Sequence, residues 1–317
     1  MAKARQTVSY LKRRFEEVGL NPNKRHGQNF LIDLNLIKMI ADGARLESND
    51  VVLEIGTGMG SLTGIMAPQC AAVITVEIDE HLYQLAREEL EGMDNIEMLH
   101  QDCLKNKNRF APEVIDAIKR HMAAGSDRIF KLAANLPYNV ATPILTNLLR
   151  SEVIPHSMTV TIQKELADRI VAGPGSKDYG ALSIWMQTLC DVKILRVMSP
   201  KVFWPRPKVD SAIIHIVHRP EKRAMIPDSD FFHAFVRAMF FHRRKFMRSV
   251  AVSAFKGQLE KPQVDEVLDA MGLGADARTE QLTVERIQEL CERFRQKLVE
   301  VTGSENPVMA NQAGVSN

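Results

Sequence analysis

The sequence predicts an α/β protein, a mostly parallel sheet of seven strands followed by a small all-α domain. Three observations predict it. From about Asp50 to His218, β-rich runs alternate with helical stretches, the pattern of a sheet covered on both faces. A glycine turn, Glu54-Ile55-Gly56-Thr57-Gly58-Met59-Gly60, follows directly on the first of those runs, where glycine lets a ligand approach the backbone and the next helix start sharply. From Arg219 onward strand-like runs cease and helical patterns take over.

The predicted strands, in order, are 51–55, 72–76, 96–99, 129–133, 158–162, 192–197 and 212–217, short apolar runs, most of them rich in β-branched residues, bounded by polar or turn-forming ones. Leu182–Thr188 reads as the helix before the sixth strand. Phe231–Ala254, Gln263–Met271 and Val284–Val301 read as helices separated by Gly257, Gly272 and Gly274, with Ser229 and Thr283 as starting caps. The connection Lys105–Asp127, with its amphipathic Val114–Met122, is long enough to add a helix. These signals divide the chain into a basic N-terminal segment (1–25), an α/β domain (26–219), a helical domain (220–301) and a disordered tail (302–317) rich in Gly, Asn, Ser and Ala.

Composition narrows the classes. With 317 residues, 45% of them hydrophobic and 25% charged, the chain can bury one large core and a second smaller one. No apolar run reaches the roughly 18 residues of a membrane span, and Met1–Leu20 carries scattered cations rather than the apolar block of a secretory signal. Cys70, Cys103, Cys190 and Cys291 are far apart, with no C-x-x-C pair and no histidine cluster. Neither a disulfide framework nor a metal site is therefore expected, and a reducing cytoplasm fits best. The net charge of +2 is small but unevenly spread, with cations gathered in Lys3–Arg25 and Arg237–Arg248.

The chemistry begins at the glycine turn. A dinucleotide fold wants G-x-G-x-x-G/A, but here Gly60 falls one place early and Ser61 stands where the third small residue belongs. The spacing E-x-G-x-G-x-G instead resembles motif I of S-adenosylmethionine-dependent methyltransferases, with Gly56 and Gly58 as cofactor contacts. The second strand ends in Glu77-Ile78-Asp79, and a carboxylate at Glu77, beside Ile78, can accept from both ribose hydroxyls. After the third strand, Asp102, next to Cys103, is placed to accept from an adenine amino group. Standing alone, Glu77 would read as an exposed strand-end acid and Asp102 as a helix N-cap. After the fourth strand comes Asn135-Leu136-Pro137-Tyr138, which is an ordinary strand-ending turn by itself but also matches the [N/D]-x-P-[Y/F] element of methyltransferases acting on exocyclic amino nitrogens. There the lone pair is delocalised into the base. A neutral acceptor, the Asn135 side-chain oxygen with the Leu136 carbonyl, can bind the amino hydrogens and localise that pair, while Tyr138 stacks on the base.

With these motifs in order, the chain resembles the ribosomal RNA adenine dimethyltransferase family, of the small-subunit (KsgA) type. The likeness runs from about Arg25 to Thr283. It includes His26-Gly27-Gln28-Asn29-Phe30-Leu31, the glycine turn, Asn135–Asn139, Gln163-Lys164-Glu165, Gly175–Ser183, Phe203–Ala212, Arg243-Arg244-Lys245 and Ala277–Leu282. The resemblance implies a class I S-adenosylmethionine-dependent methyltransferase fold, Rossmann-like, with a C-terminal all-α domain. It implies that Asn29 and Leu31 contact the methionine end of the cofactor, Gly56 lines it, Glu77 binds its ribose and Asp102 its adenine. Asn135 then faces both cofactor and target, and Phe203 stacks on the target base. Thr57 departs from the family, which often has proline there.

A Phe-Trp pair among prolines, Phe203-Trp204-Pro205-Arg206-Pro207, also fits plain core packing. Arg237, Phe241, Arg244 and Arg248 recur at helical spacing, and Arg243 with Lys245 widens the basic area; the run suits a solvated face, and beside an adenine site it suits RNA phosphates. The expected partner is small-subunit ribosomal RNA in an immature subunit, entering between the two domains, with the protein a monomer. The rivals are the large-subunit adenine methyltransferase of macrolide resistance and a non-catalytic assembly factor on the same fold.

Overall fold

The computed structural model describes residues 8–17, 19, 28–243 and 245–309. Arg25, His26, Gly27 and Arg244, with most of the basic segment before them and the tail from 310, lie outside the described residues. In chain order, helix α1 (Val8–Glu17) precedes β1 (Phe30–Leu31), α2 (Leu34–Ala44), β2 (Asp50–Ile55), α3 (Ser61–Met66), β3 (Ala72–Glu77), α4 (Glu80–Glu89) and β4 (Ile96–His100). Two short strands, β5 (Leu104–Asn106) and β6 (Arg109–Phe110), lead into α5 (Pro112–Ala123), β7 (Ile129–Asn135), α6 (Ala141–Leu148), β8 (Ser157–Gln163), α7 (Lys164–Val171) and α8 (Ala181–Leu189). Then come β9 (Cys190–Met198), β10 (Phe203–Trp204), β11 (Ser211–His218), α9 (Pro220–Ala224), α10 (Ser229–Phe241), α11 (Met247–Ala254), α12 (Lys261–Ala270) and α13 (Val284–Thr302).

Seven strands form the central sheet in the order β4-β3-β2-β7-β8-β11-β9. The pairs β3–β4, β2–β3, β2–β7 and β7–β8 are parallel, and β11 runs antiparallel to β8. β2 and β3 are buried along their whole length, as a sheet covered on both faces requires. Every predicted strand is present within two residues at each end.

At the start of β2 lies a buried ion pair. Lys131 of β7 donates to Asp50 Oδ2 at 2.7 Å and to the Arg45 carbonyl at 2.7 Å, with Asp50 fully buried. The Glu47 backbone N–H also donates to Asp50 Oδ2, so this carboxylate ties the α2–β2 turn to the neighbouring strand.

The chain divides into two compact units, one made of the described residues of 1–167 with 192–218, the other of 168–191 with 219–317. The segment 168–191 therefore groups with the helical residues rather than with the α/β domain expected to hold it. The reason is visible inside the second unit. Trp185 of α8 stacks on Phe232 of α10, Tyr179 donates to the Leu282 carbonyl at 2.9 Å, and the Gly175 N–H donates to the Glu280 carbonyl at 2.7 Å. The two family-like stretches Gly175–Ser183 and Ala277–Leu282 are thus packing partners.

Three further expectations are corrected. The helix expected over Phe231–Ala254 breaks after Phe241, and Phe246 is extended (φ −60°, ψ 142°) before α11 begins. The break lets Arg243 bond Glu280 and the carbonyls of Ser176 and Lys177. α10 is capped by Asp228, one residue before Ser229, whereas Thr283 caps α13 as expected. The tail from 302 is ordered as far as Met309, which is 1% exposed, while Gln258 donates to the Val308 carbonyl. The N-terminal segment contains the amphipathic α1, whose Leu11 and Phe15 are buried with Met59, Leu82 and Leu85 and whose Arg14 pairs with Glu88 at 2.8 Å.

Removing one partner of a buried ion pair strands the other's charge. Lys131→Met should therefore cost about 3–5 kcal/mol of unfolding free energy in denaturant titration, and adding Asp50→Leu should recover much of it. Equal losses for the single and double variants would show that the pair is not what matters there.

Candidate active site

The parallel strands bring their carboxyl ends to one edge of the sheet, and a cavity of ≈ 340 Å³ lies there. That volume is enough for a cofactor-sized ligand. Its wall includes Gly56 and Gly58 after β2, Glu77 and Ile78 at the end of β3, Gln101, Asp102 and Cys103 after β4, and Asn135, Leu136 and Pro137 at the end of β7. Eight of the nine residues expected at the cofactor, namely Asn29, Gly56, Gly58, Glu77, Ile78, Asp102, Cys103 and Asn135, meet here.

The glycine turn has positive φ at Gly56 (83°) and Gly58 (56°), a region that side chains rarely adopt. A methyl group at Gly56 would also sit 3.7 Å from Pro137, so this turn and the Asn-Leu-Pro-Tyr segment are packed against each other. Beneath the turn lies a buried polar chain. Thr57 Oγ1 and Thr75 Oγ1 are 2.6 Å apart, and both Thr75 and Thr63 donate to Glu54 Oε2. Thr57, the departure from the family pattern, thus anchors the turn to β3 by a hydrogen bond where proline would stiffen it through its ring.

Burial pushes the Glu54 carboxyl up to about 8, outweighing the two threonine hydroxyls and helped by the nearby Glu77. Burial also raises the Glu77 carboxyl, opposed by backbone hydrogen bonds. Glu77 Oε2 accepts from the Gly58 N–H at 2.9 Å, and Oε1 accepts from the Ile78 and Asp79 N–H groups at 3.0 Å. A carboxylate has about four lone-pair positions. With three in use, Glu77 holds the loops in shape as well as offering an acceptor to the cavity. Asp102 Oδ1 accepts from the Leu104 N–H at 2.8 Å, capping a turn rather than a helix while still lining the wall. Cys103 has its thiol pushed up to about 12 by burial and is no nucleophile.

Asn135 is the group with capacity to spare. Its Nδ2 donates to the Asn29 carbonyl at 3.0 Å, which fixes the amide's orientation, and its Oδ1 is buried with no hydrogen-bond partner among the described residues. A buried acceptor left unpaired is costly and calls for a donor from a ligand.

Three of the expected site residues lie off this cavity wall. Leu31 and Phe203 face each other across the β1–β10 pair, are 5% and 3% exposed, and belong to one apolar cluster with Ile37, Ile40 and Met66. Neither lines the cavity, and Phe203 has no open ring face for a base. The segment around Phe203 pairs with β1, the strand that directly follows Asn29 of the wall. Tyr138 does not line this cavity either; its hydroxyl is bonded to Ser211 Oγ on β11, and burial raises its pKa, so it stays protonated.

The basic face expected on one helix is split. Arg248 makes a two-pronged pair with Asp265 at 2.6 and 2.8 Å, and Arg243 is turned onto Glu280 and two carbonyls, whereas Arg237 and Lys245 are exposed. Residues the sequence reading did not single out also line the cavity. They include Gln28 and Phe30, inside the quoted Gln28-Asn29-Phe30 motif, and Val140, whose only signal was its nearness to Tyr138.

A Rossmann-like sheet with a glycine turn, a ribose-type acid and an Asn-x-Pro-Tyr segment on one cavity is that of an S-adenosylmethionine-dependent methyltransferase. Residues 19–292 match the profile of the family described as Ribosomal RNA adenine dimethylase, and the chain belongs to that family. It is 39% identical over 276 residues to Ribosomal RNA small subunit methyltransferase A of Alkaliphilus oremlandii, covering 87% of this chain and 93% of that one. It is 37% identical over 291 residues to the protein of the same name in Halothermothrix orenii, covering 91% and 93%. Among solved structures, a dimethyladenosine transferase from Plasmodium falciparum matches with a TM-score of 0.69 at 23% identity, covering 84% of this chain and 97% of that one. The 23S rRNA methyltransferase ErmE matches with a TM-score of 0.59 at 25% identity, covering 84% and 100%.

Glu54 and Glu77 yield separate expectations. Because the folded-state value of Glu54 lies above the ordinary 4.5, the stability it contributes is complete below that pH and is lost as pH rises through about 8. Glu54→Gln, which cannot ionise, should flatten the fall of Tm between about pH 5 and pH 9; a variant with the wild-type pH profile would refute the assignment. Glu77→Ala should weaken S-adenosylmethionine binding by roughly 1.5–3 kcal/mol in calorimetric titration, and an unchanged dissociation constant would remove Glu77 from the site.

Proposed function

We propose that the protein methylates N6 of two adjacent adenines in the loop closing the 3′-terminal hairpin of small-subunit (16S) ribosomal RNA, placing two methyl groups on each. We further propose that it acts in the cytoplasm, as a monomer, on an immature subunit. The observation that carries this reading is the buried, unpaired Oδ1 of Asn135 on the cavity wall. An exocyclic amine brings N–H donors to such an acceptor, and a carbonyl or phosphate oxygen brings none.

S-adenosylmethionine, held by the glycine turn, Glu77, Ile78 and Asp102, supplies an electrophilic methyl group. Asn135 Oδ1 accepts one amino hydrogen of the target adenine, and the Leu136 carbonyl is assigned the other. Removing electron demand from the N–H bonds localises the nitrogen lone pair, and the interaction strengthens as nitrogen becomes positive. No strong base is needed, since the charged amine is acidic and releases its proton to solvent. Tyr138, its hydroxyl held by Ser211, is assigned to the face of the target base. Loop bases are already unstacked, so extruding one is inexpensive.

The large-subunit reading is favoured by the structural likeness to ErmE. The small-subunit reading is favoured by the names of the sequence relatives at 35–39% identity. Mapping methylated adenines in ribosomal RNA from cells lacking the protein decides between the two, and between either of them and a non-catalytic assembly role.

Asn135→Ala should lower single-turnover methylation by around two orders of magnitude while RNA affinity changes much less. The second transfer begins with one N–H left, so a partial defect should leave singly methylated adenines, read by mass spectrometry of the nucleosides. Full dimethylation near the wild-type rate would end this assignment.

A further inference from the structure

The long connection after β4 contributes more than the expected helix. Before α5 it folds into the β5–β6 hairpin, residues 104–110, in which Lys105, Lys107 and Arg109 alternate with Asn106 and Asn108, all five exposed. Cations elsewhere on this connection are neutralised, Lys119 by Glu152 and Arg120 by Glu97, each at 2.5 Å. The three on the hairpin have no carboxylate partner among the described residues. Three unpaired cations within five residues raise a local positive potential that attracts an anion.

The hairpin is nevertheless held in place. Leu104 and Phe110 at its base are buried, the Ala111 N–H donates to the Cys103 carbonyl at 2.9 Å, and Asn106 Oδ1 accepts from the Asn108 N–H at 2.9 Å to shape the tip. Asn147 of α6 donates to the Lys107 carbonyl at 3.2 Å. These anchors tie it to the catalytic edge on two sides. Asp102 and Cys103, directly before β5, line the cavity, and α6, which packs on β6, begins three residues after Tyr138.

We infer that this hairpin is a phosphate-binding arm that grips the RNA backbone beside the target adenine, with Lys105, Lys107 and Arg109 on phosphate oxygens and Asn106 and Asn108 supplying amide donors. The partner is RNA rather than an acidic protein because the arm packs on α6, which begins three residues after the Asn135–Tyr138 segment assigned to the target base, and a nucleotide reaching that segment brings its flanking phosphates with it. In this the inference rests on the proposed function. Such contacts position the strand and carry no sequence information, so they act on affinity and its salt dependence and leave the chemical step alone.

The test uses the full chain with Lys105→Gln, Lys107→Gln and Arg109→Gln combined, all at exposed positions. Binding is titrated across salt concentrations on a transcript of the small-subunit 3′-terminal hairpin and on an unrelated duplex RNA. Three lost phosphate contacts should reduce the slope of log affinity against log salt by about two to three on both. S-adenosylmethionine affinity, Tm and kcat at saturating RNA should match wild type, with KM for RNA raised. A wild-type slope, or weaker binding without a change in slope, overturns the arm. Failure of the wild-type chain to methylate the hairpin transcript and small subunits would overturn the proposed substrate instead, and the slopes on duplex RNA would still decide the arm.

Discussion

Parallel pairing of β4, β3, β2, β7 and β8 is the constraint on which the rest of the molecule depends. Parallel neighbours cannot be joined by tight turns, so each strand's carboxyl end must open into a loop before the chain crosses over. Consecutive loops then emerge along one edge, and residues as distant in sequence as Gly56 and Asn135 share a wall. The antiparallel β11 adds to this arrangement, because its first residue, Ser211, sits beside the end of β8 and reaches the Tyr138 hydroxyl.

The edge alone would not hold loops of this shape. Two carboxylates do so from different directions. Glu54 lies below the glycine turn within a shell of threonine hydroxyls, and Glu77 gathers the N–H groups of Gly58, Ile78 and Asp79. Both carry raised pKa values because burial opposes their charge, and both are retained beside the cavity. Their arrangement fits a site in which polar groups are aligned in advance so that little reorganisation accompanies the chemistry. Asn135 completes it, with one end of its amide fixed by the Asn29 carbonyl and the other buried without a partner among the described residues.

Outside the site, charge is mostly answered by charge. Arg243 and Arg248 look in sequence like a basic binding face, but their geometry is that of structural residues, with carboxylates and carbonyls already in place. The β5–β6 hairpin is the contrast, three cations held on a short anchored turn without partners among the described residues. A run of positive charge therefore carries different meanings in the two places, and local acids make the difference.

Much of this was legible in the sequence. Strand positions, the glycine turn, Glu77, Asp102 and Asn135 could be read because each depends on local pattern, on β-branched runs, on backbone freedom at Gly56, or on an acid at a strand end. What escaped were features set by contacts distant in the chain. The burial of Phe203 and Leu31 follows from the pairing of β1 with β10, which draws their side chains into the core. Residues 231–254 have helical periodicity throughout, yet the chain leaves the helix after Phe241, and Arg243 bonds Glu280 and the 176–177 carbonyls. The segment 168–191 follows the α/β pattern in sequence but packs with the helical unit, where Trp185 and Tyr179 find their partners. Local pattern determined which elements form and which residues can do chemistry. Burial and long-range pairing, which no short window of sequence contains, decided which of those residues reach the cavity.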